Sequence, residues 1–350
     1  RILARTDVPQ QNTRAVAQIK NVIAILQKVR PDILLINEFD HDRDGIALAA
    51  FAAALGVGPE GLDLPYNFAG PSNTGQPSGL DLDGNGRTND PQDAHGYGRF
   101  PGQYAMALLS RFALDHDAIR SFRTLRWAEL PEAQLPQRAD GSPFPSAEVH
   151  SQMRLSSKSH WDVPVKIADT TLHILAAHPT PPVFDGPEDF NGLRNAAEIG
   201  FFTQYLDGVP LTDDQGRSAG FEGRFAVIMG DLNADPFDGD GRHGAIQALL
   251  SHPRLTDPRP TSDGARLASE TQGGANIGHR GEAGLDTADF NDARGPGNLR
   301  VDYVLPTTTL GIRASGVFWP APDDPLAGLL GSGKARASDH HLVWVDISLP

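Results

Sequence analysis

The chain is expected to fold as an α/β protein on a β-rich scaffold, and three observations carry that expectation. Short apolar runs such as Ile33-Leu-Leu-Ile36 and Phe225-Ala-Val-Ile-Met229 alternate with longer segments whose apolar residues return every three or four positions. Several of the short runs empty directly onto an acid, an amide or a histidine. The 37 glycines and 28 prolines fall mostly in long polar stretches between these runs, as loops elaborated on a sheet would have them.

With 350 residues the chain has room for two average domains or one large α/β sandwich. No repeat, low-complexity tail or linker interrupts it, so a single domain over residues 1–350 is the simplest reading. Apolar residues make up 39%, enough for a sizeable core, and no run approaches the roughly 20 residues of a membrane span. The 30 basic and 44 acidic residues leave a net charge of −14. Such a surface repels polyanions and argues against nonspecific duplex binding, although a bound metal can reverse the potential in one cleft. The absence of cysteine excludes disulfides, thiolate catalysis and Cys-based zinc sites. Position 1 is Arg, which reads as a processed or truncated chain whose targeting peptide is gone.

In order, Asn12 to Val29 has the period of an amphipathic helix, with Val16, Ile19, Ile23 and Leu26 on one face and Asn12 or Thr13 as its cap. Pro31 stops it, and Ile33 to Ile36 follows as a buried strand ending in Asn37-Glu38. Ile46 to Leu55 is a second, Ala-rich helix. Residues 56–102 read as one long loop, and structureless loops of that length tend to be functional. Tyr104 to Leu109 resumes the sheet, and a Pro-rich excursion covers about 130–146. Val163 to Ile167 and Leu172 to Ala177 are strands, the second delivering His178. A helix over about Asn191 to Tyr205 precedes the strand Phe225 to Met229, which delivers Asp231. A polar loop over about 258–298 precedes the strand Val301 to Leu305, which carries Asp302, and Leu342 to Ile347 is the last strand.

Glu38, His178, Asp231, Asn233, Asp302, Asp339 and His340 thus lie at or beside strand ends, where one sheet edge can bring them together. For any one such acid, a solvated loop carboxylate is the default; the ordered set outweighs it. Glu38, with Asp231 or Asp339, offers the hard oxygen ligands that suit Mg²⁺ or Mn²⁺. Asp231 and Asn233 are two apart on an extended chain and can share a face, the acid orienting a water and the amide binding a phosphate oxygen. An Asp302–His340 pair would hold the imidazole and raise its basicity.

Ile36-Asn37-Glu38-Phe39, Ala177-His178-Pro179, Gly230-Asp231-Leu232-Asn233, Arg300-Val301-Asp302-Tyr303 and Ser338-Asp339-His340 stand in this order along the chain. Together they resemble the motifs of the endonuclease/exonuclease/phosphatase superfamily, from about Thr13 to Ile347. The resemblance implies a four-layer α/β/β/α sandwich of two mixed, mostly antiparallel sheets flanked by helices, and metal-dependent phosphoester cleavage. By position, Glu38 resembles the family's metal-ligand glutamate, Asp339 its terminal aspartate and His178 a phosphate-contacting histidine. Asp231 with Asn233 matches its Asp-x-Asn pair, and Asp302 with His340 its paired acid and histidine, the latter either a base or a phosphate-binding cation. One departure stands out. The family's opening strand, ending in a functional asparagine, is not recognisable in Arg1 to Gln11, so either the first strand is missing or another segment substitutes for it.

Two further motifs lie outside this set. Lys158 and His160 share one face of an extended segment and read either as a phosphate-binding pair or as a surface turn. Asp81, Asp83, Asn85, Arg87 and Asn89, with Gly86 at position 6, have the spacing of a calcium loop whose last ligand would be Gln92 or Asp93. The alternative is a polar turn needing no ion. A structural Ca²⁺ would favour an exported, periplasmic or extracellular setting over the cytoplasm. His41, His95, His116 and His243 have no partner pattern and read as surface residues, His341 as an outward strand neighbour, and Arg194 as structural or solvent-facing.

The expected activity is divalent-metal-dependent hydrolysis of a phosphoester by in-line attack of water, on a monomeric protein. The substrate is a phosphorylated small molecule, a lipid headgroup or a nucleic acid, with loops 56–102 and 130–146 as candidate walls of a compact pocket. The rival reading is a noncatalytic phosphate-ligand-binding protein on the same fold.

Overall fold

The computed structural model describes residues 13–184, 186–333 and 336–350. The capping role expected of Asn12, and the opening segment Arg1 to Gln11, lie outside the described residues. Helix α1 (Thr13–Val29) leads into β1 (Ile33–Asn37), α2 (Ile46–Leu55), β2 (Tyr66–Phe68) and β3 (Met106–Ser110). Next come β4 (Arg120–Ser121), α3 (Ala147–Gln152), β5 (His160–Ile167), β6 (Thr170–Ala177) and α4 (Phe190–Leu206). Then follow β7 (Leu211–Thr212), β8 (Ser218–Ala219), β9 (Ala226–Asp231), α5 (His243–Leu250) and α6 (Asp263–Gln272). The remaining strands are β10 (Ala288–Asp289), β11 (Asn298–Leu299), β12 (Asp302–Pro306), β13 (Gly311–Val317) and β14 (Val343–Ser348).

A central five-stranded sheet runs β12-β9-β6-β5-β4 and is parallel only between β6 and β9. A parallel pair needs a crossover, which α4 supplies. Its register aligns Ala176 with Met229, while antiparallel β12 sets Asp302 opposite Asp231. His178, Asp231 and Asp302 therefore emerge at one sheet edge. Gly230 is required there by close approach: a Cβ on it would lie 2.0 Å from the carbonyl oxygen of Ala177. A second sheet runs β1-β3-β2, and β13 with β14 forms a two-stranded ribbon.

Alternation along β1 sorts its side chains between two cores. Ile33 and Leu35 pack with Val163, Ile174, Val227 and Ile347 between this sheet and the central one. Leu34 and Ile36 pack on the other side with Leu26 of α1 and Leu48, Phe51 and Leu55 of α2. Leu55 has no solvent exposure, and burying such a side chain contributes roughly 1.5–3 kcal/mol. The opposite face of the central sheet carries Leu175, Ile228, Tyr303 and Leu305 against Phe201, Phe202 and Tyr205 of α4 and Ile246 and Leu249 of α5. The molecule is a mixed α/β fold with a mixed central sheet and flanking helices.

Among the described residues β1 pairs only with β3 and β14 only with β13. Their free edges line one cavity of about 1100 Å³, with Val22 and Leu26 of α1 on one side and Leu172, Ile174, Val227 and Met229 on the other. Glu38, Asp231, Asn233, Asp302, Asp339 and His340 line the same cavity.

Three expectations are corrected. The stretch 258–298 is not a plain loop, since it holds α6, β10 and β11. Helix α6 buries only Gly264 and Ala265, too few to mark a helical period, although Ser262 caps it by accepting from the Ala265 N–H at 3.2 Å. Strand β13 also went unread, because most of its residues are not buried. Finally, residues of 56–102 and 130–146 do not line the main cavity. The first loop instead buttresses the site from behind. Asn73 accepts an N–H bond from Arg154, donates from its amide to the Ser156 and Arg123 carbonyls and from its backbone N–H to the Lys158 carbonyl. Gly96 lies so close that a Cβ would come within 1.8 Å of the Ser157 carbonyl oxygen.

Candidate active site

The site is built where β1, β6 and β9 end and β12 begins. β1 terminates in Asn37, and the turn carrying Glu38 is pinned by N–H bonds from Phe39 to Ala105 O (2.9 Å) and from Tyr104 to Asp40 Oδ1 (3.1 Å). Glu38 sits at φ 56° and Asn233 at φ 50°, the left-handed region that side-chain-bearing residues rarely occupy. Strain of this kind clusters at functional sites because the surrounding structure over-determines it.

Asp231 is the hub. It is 6% exposed, and one carboxylate oxygen accepts the Asn233 N–H at 2.8 Å while the other lies 3.3 Å from His178 Nε2 and 3.9 Å from His340 Nε2. Burial alone would raise its pKa, but His340 and His178 together hold it down to about 2. Asn233 turns its amide to the Pro179 carbonyl at 3.0 Å, tying the Asp-x-Asn turn to the segment after His178.

His340 Nδ1 lies 2.9 Å from Asp302 Oδ2. The same oxygen accepts from Thr287 Oγ1 at 2.8 Å, and that hydroxyl in turn accepts the N–H groups of Val301 and Asp302. Burial opposes the imidazolium, yet Asp302 first and Asp231 next outweigh it and push His340 up to about 10. Burial is also the larger influence on Asp302 and raises it, with His340 opposing. Arg300 and Tyr303, which bracket this motif, have structural partners. Arg300 makes a two-pronged contact with Asp257 (2.8 and 2.6 Å), and the Tyr303 hydroxyl donates to the Ala234 carbonyl at 2.8 Å.

The structure thus brings together Glu38, His178, Asp231, Asn233, Asp302, Asp339 and His340, all lining one cavity. Lys158 joins them: it is 7% exposed, with its Nζ 3.5 Å from the Pro179 carbonyl. Burial lowers its pKa, against the attraction of Glu198, Asp231 and Glu38. His178 is lowered by burial and by Lys158, which favours a neutral ring donating through Nε2 to Asp231.

His160 does not join them. It has no exposure, its Nδ1 is 2.6 Å from Ser156 Oγ and its Nε2 is 2.8 Å from the Glu198 carbonyl. The ring packs on Phe201 at 4.4 Å, and burial depresses it to about 4, so it is a core residue and not a phosphate contact. His95 and His341 are likewise buried, not surface-facing. Arg194 donates to the His95 carbonyl, and His341 stacks on Trp319 at 3.8 Å. Arg194 itself is structural, its guanidinium also bonding the Leu155 and Arg154 carbonyls.

Among the described residues, two groups could hold a cation. Asp231, Asp302 and His340 have donor atoms within 4.8 Å of one another. An imidazolium held between two carboxylates is a poor metal ligand, which leaves Asp231 and Asp302 as the oxygen donors of that group; Glu38 and Asp339 line the same cavity. They are hard, acceptor-only groups that fit Mg²⁺ or Mn²⁺. The buried Asn37 Oδ1 beside Glu38 has no hydrogen-bond donor, as expected of an oxygen facing a cation. The second group joins Asp81 and Asp83 with Asp93. Asn85 donates to Asp83 at 2.9 Å and accepts from the Arg87 N–H at 2.8 Å, while Arg87 and Asn89 are exposed.

Several structural residues at this site escaped the sequence reading: Thr287, Asn73 and, on α4, Asn195 and Glu198. On α4, Arg194, Asn195 and Glu198 share the helix with Asn191, Thr203 and Gln204, so the pattern of polar residues alone does not single out the last two.

A family model described as "Endonuclease/Exonuclease/phosphatase family" matches residues 9–340. No curated protein matches the chain. Among solved structures, an endonuclease/exonuclease/phosphatase from Beutenbergia cavernae DSM 12333 is similar at 16% identity and TM-score 0.50, over 95% of this chain and 66% of that one. The chain thus spans just under two thirds of that protein. A family protein from Leptotrichia buccalis C-1013-b is similar at 14% identity and TM-score 0.51, over 98% of this chain and 96% of that one. A mannosyl-6-phosphatase from Bacteroides thetaiotaomicron VPI-5482 is similar at 12% identity and TM-score 0.48, over 97% and 94% of the two chains. At such identities the likeness to the first two speaks to the fold alone. With the family model spanning most of its length, the chain belongs to the endonuclease/exonuclease/phosphatase family.

Proposed function

We propose that this chain is a divalent-metal-dependent phosphoesterase, working as one catalytic domain on a four-layer α/β/β/α sandwich. The layering is supported by β1 dividing its side chains between two cores. The observation that carries the function is Asp231, a buried carboxylate held ionised between two histidines and a backbone N–H at the edge of a polar cleft.

Glu38 and Asp339 would hold Mg²⁺ or Mn²⁺, with Asp231 lining the same cavity. Such an ion, when bound, supplies neutralisation of charge on the phosphoryl group and leaving oxygen. Asp231 keeps an acceptor free of its proton at neutral pH and orients the attacking water. His178 holds that carboxylate through Nε2. Asn233 has one amide hydrogen on Pro179 and a second to offer a phosphate oxygen. His340, paired with Asp302, is an imidazolium in the metal-free site, which supports a role in stabilising phosphoryl charge or delivering a proton over that of a base. Lys158 adds a second cation beside Glu38 and His178 for the phosphate. The opposite directions of the Asp231 and His340 shifts are what separates an acceptor from a cation within one cleft.

The acidic rim favours a compact phosphoester over a polynucleotide. Asp238 and Asp240 line the cavity and would repel a polyanion's flanking phosphates. We also infer a structural Ca²⁺ at Asp81, Asp83 and Asp93, and with it an exported setting. No helix among the described residues is long and apolar enough to cross a membrane. Turnover of para-nitrophenyl phosphate or its bis ester with Mg²⁺ or Mn²⁺, lowered by orders of magnitude in Asp231→Ala and His340→Ala, tests the assignment. Near wild-type turnover in both folded variants would reject it.

A further inference from the structure

The site loops come from distant parts of the chain, and cleft-facing residues such as Asn233, bonded to the Pro179 carbonyl, tie them on one side. On the other side, the first half of α4 lies behind the loops carrying Lys158, His178 and Asp231–Asn233. Glu198, one helical turn after Asn195, is 1% exposed and reaches two loops at once. Its Oε1 accepts the Ser157 N–H at 2.6 Å and the Ser157 hydroxyl at 3.0 Å, and its Oε2 accepts the Thr180 N–H at 2.7 Å. Ser157 precedes Lys158, and Thr180 stands two residues after His178. The Ser157 hydroxyl also lies 3.2 Å from the His178 carbonyl, so the two loops meet at this carboxylate. Asn195 is equally buried, and its amide donates to the Thr180 carbonyl at 2.8 Å and to the Leu232 carbonyl at 2.9 Å. Leu232 lies between Asp231 and Asn233.

We infer that Glu198 and Asn195 are positioning residues, a clamp on α4 that sets the Lys158, His178 and Asp231–Asn233 segments in mutual register. Neither faces the cleft. They act through the backbones of residues that do. A buried carboxylate retained in an apolar helix needs such a reason, because desolvating it is costly unless its bonds are all made. Here three donors from two loops make them. Small displacements matter at such a site, since catalysis depends on groups held within about half an ångström of their working geometry.

The inference rests on the phosphoesterase reading, but its test has an arm that does not. Glu198→Gln keeps the shape and an acceptor for Ser157 while turning an NH₂ toward the Thr180 N–H. Hydrogen exchange of the full chain is expected to show faster exchange at Thr180 in Glu198→Gln, with the α4 amides unchanged. On para-nitrophenyl phosphate with Mg²⁺, kcat is expected to fall at least tenfold with KM shifted less than threefold. In a His178→Ala background the same substitution should cost less than half as much on a logarithmic scale, because the loop it positions has lost its working group. Ser157→Ala, which removes one of the three bonds, serves as a milder variant if Glu198→Gln does not fold, with a threefold to tenfold loss expected. Unchanged Thr180 exchange, or effects of Glu198→Gln and His178→Ala that simply multiply, would overturn the clamp. Absence of phosphoester turnover in the wild type would sink the functional reading and leave the exchange arm to decide this one.

Discussion

Asp302→Asn removes one negative charge and leaves the side chain almost unchanged in size, so it isolates what that charge does to His340. The imidazole stands 2.9 Å from Asp302 and 3.9 Å from Asp231, and is pushed up to about 10 from an ordinary 6.5. Asp302 is the largest of the influences that raise it. An opposite charge at this distance shifts a pKa by about 1–3 units, so the substitution should lower His340 by about two units, or roughly 3 kcal/mol of imidazolium stabilisation. The same charge enters stability. A group raised in the folded state contributes stability that is complete below its unfolded value of 6.5 and is lost as pH rises through about 10. The wild type should therefore lose stability between pH 6.5 and 10 more steeply than Asp302→Asn. The assay is NMR titration of the His340 ring proton in metal-free protein, beside the pH profile of turnover. Turnover should fall by about two to four orders of magnitude if the imidazolium acts on the reacting phosphate. An unshifted His340 titration in the variant would refute the pairing as the source of its charge.

Two other outcomes follow from acids away from the reacting atoms. The Asp286 carboxyl, 6% exposed, is pushed up to about 8 by burial first and by Asp235 and Asp238 next. Because the unfolded chain releases that proton near 3.8, stability should fall as pH rises from 3.8 to about 8. Asp286→Asn is expected to be the more stable protein at about pH 9, by an amount on the order of a few kcal/mol; equal melting temperatures there would contradict the placement. At the loop carrying Asp81, Asp83 and Asp93, Ca²⁺ should slow proteolytic cleavage within residues 81–93, and Asp81→Asn should abolish the protection. Cleavage indifferent to Ca²⁺ would leave the loop as an ion-free turn.

What could be read from the chain's order of residues was whatever burial writes into local pattern. The helix Ile46–Leu55, the strands leading into Glu38, His178 and Asp231 and the strand opening at Asp302 were legible, since a short, strongly apolar run bounded by polar residues is consistent with a buried strand and too short for most helices. The convergence of the five motifs was legible only through their resemblance to a family. Local pattern failed where the determinant lies far away in sequence. His160 looked like a partner of Lys158 because spacing on a strand is visible, but the Glu198 carbonyl and Phe201 that bury it are about 40 residues on. The long loop 56–102 looked like a pocket wall because it is polar and rich in glycine. Its role as a buttress depends on Asn73 and Gly96 meeting the 156–158 segment, which no local period reveals. Glu198 and Asn195 looked like ordinary helix polarity, since only the fold shows that their face points inward.

The most direct measurement is hydrolysis by the wild-type chain of para-nitrophenyl phosphate, its bis ester and supercoiled plasmid, each with Mg²⁺, Mn²⁺ or chelator, with Asp231→Ala in parallel. Metal-dependent release of para-nitrophenol is expected, with faster relative turnover of the small esters than of plasmid, and loss of both on chelation or in Asp231→Ala. Phosphoester binding without turnover under every metal condition would instead mark a noncatalytic binding protein. Turnover that survives in folded Asp231→Ala would place the chemistry somewhere other than this cleft.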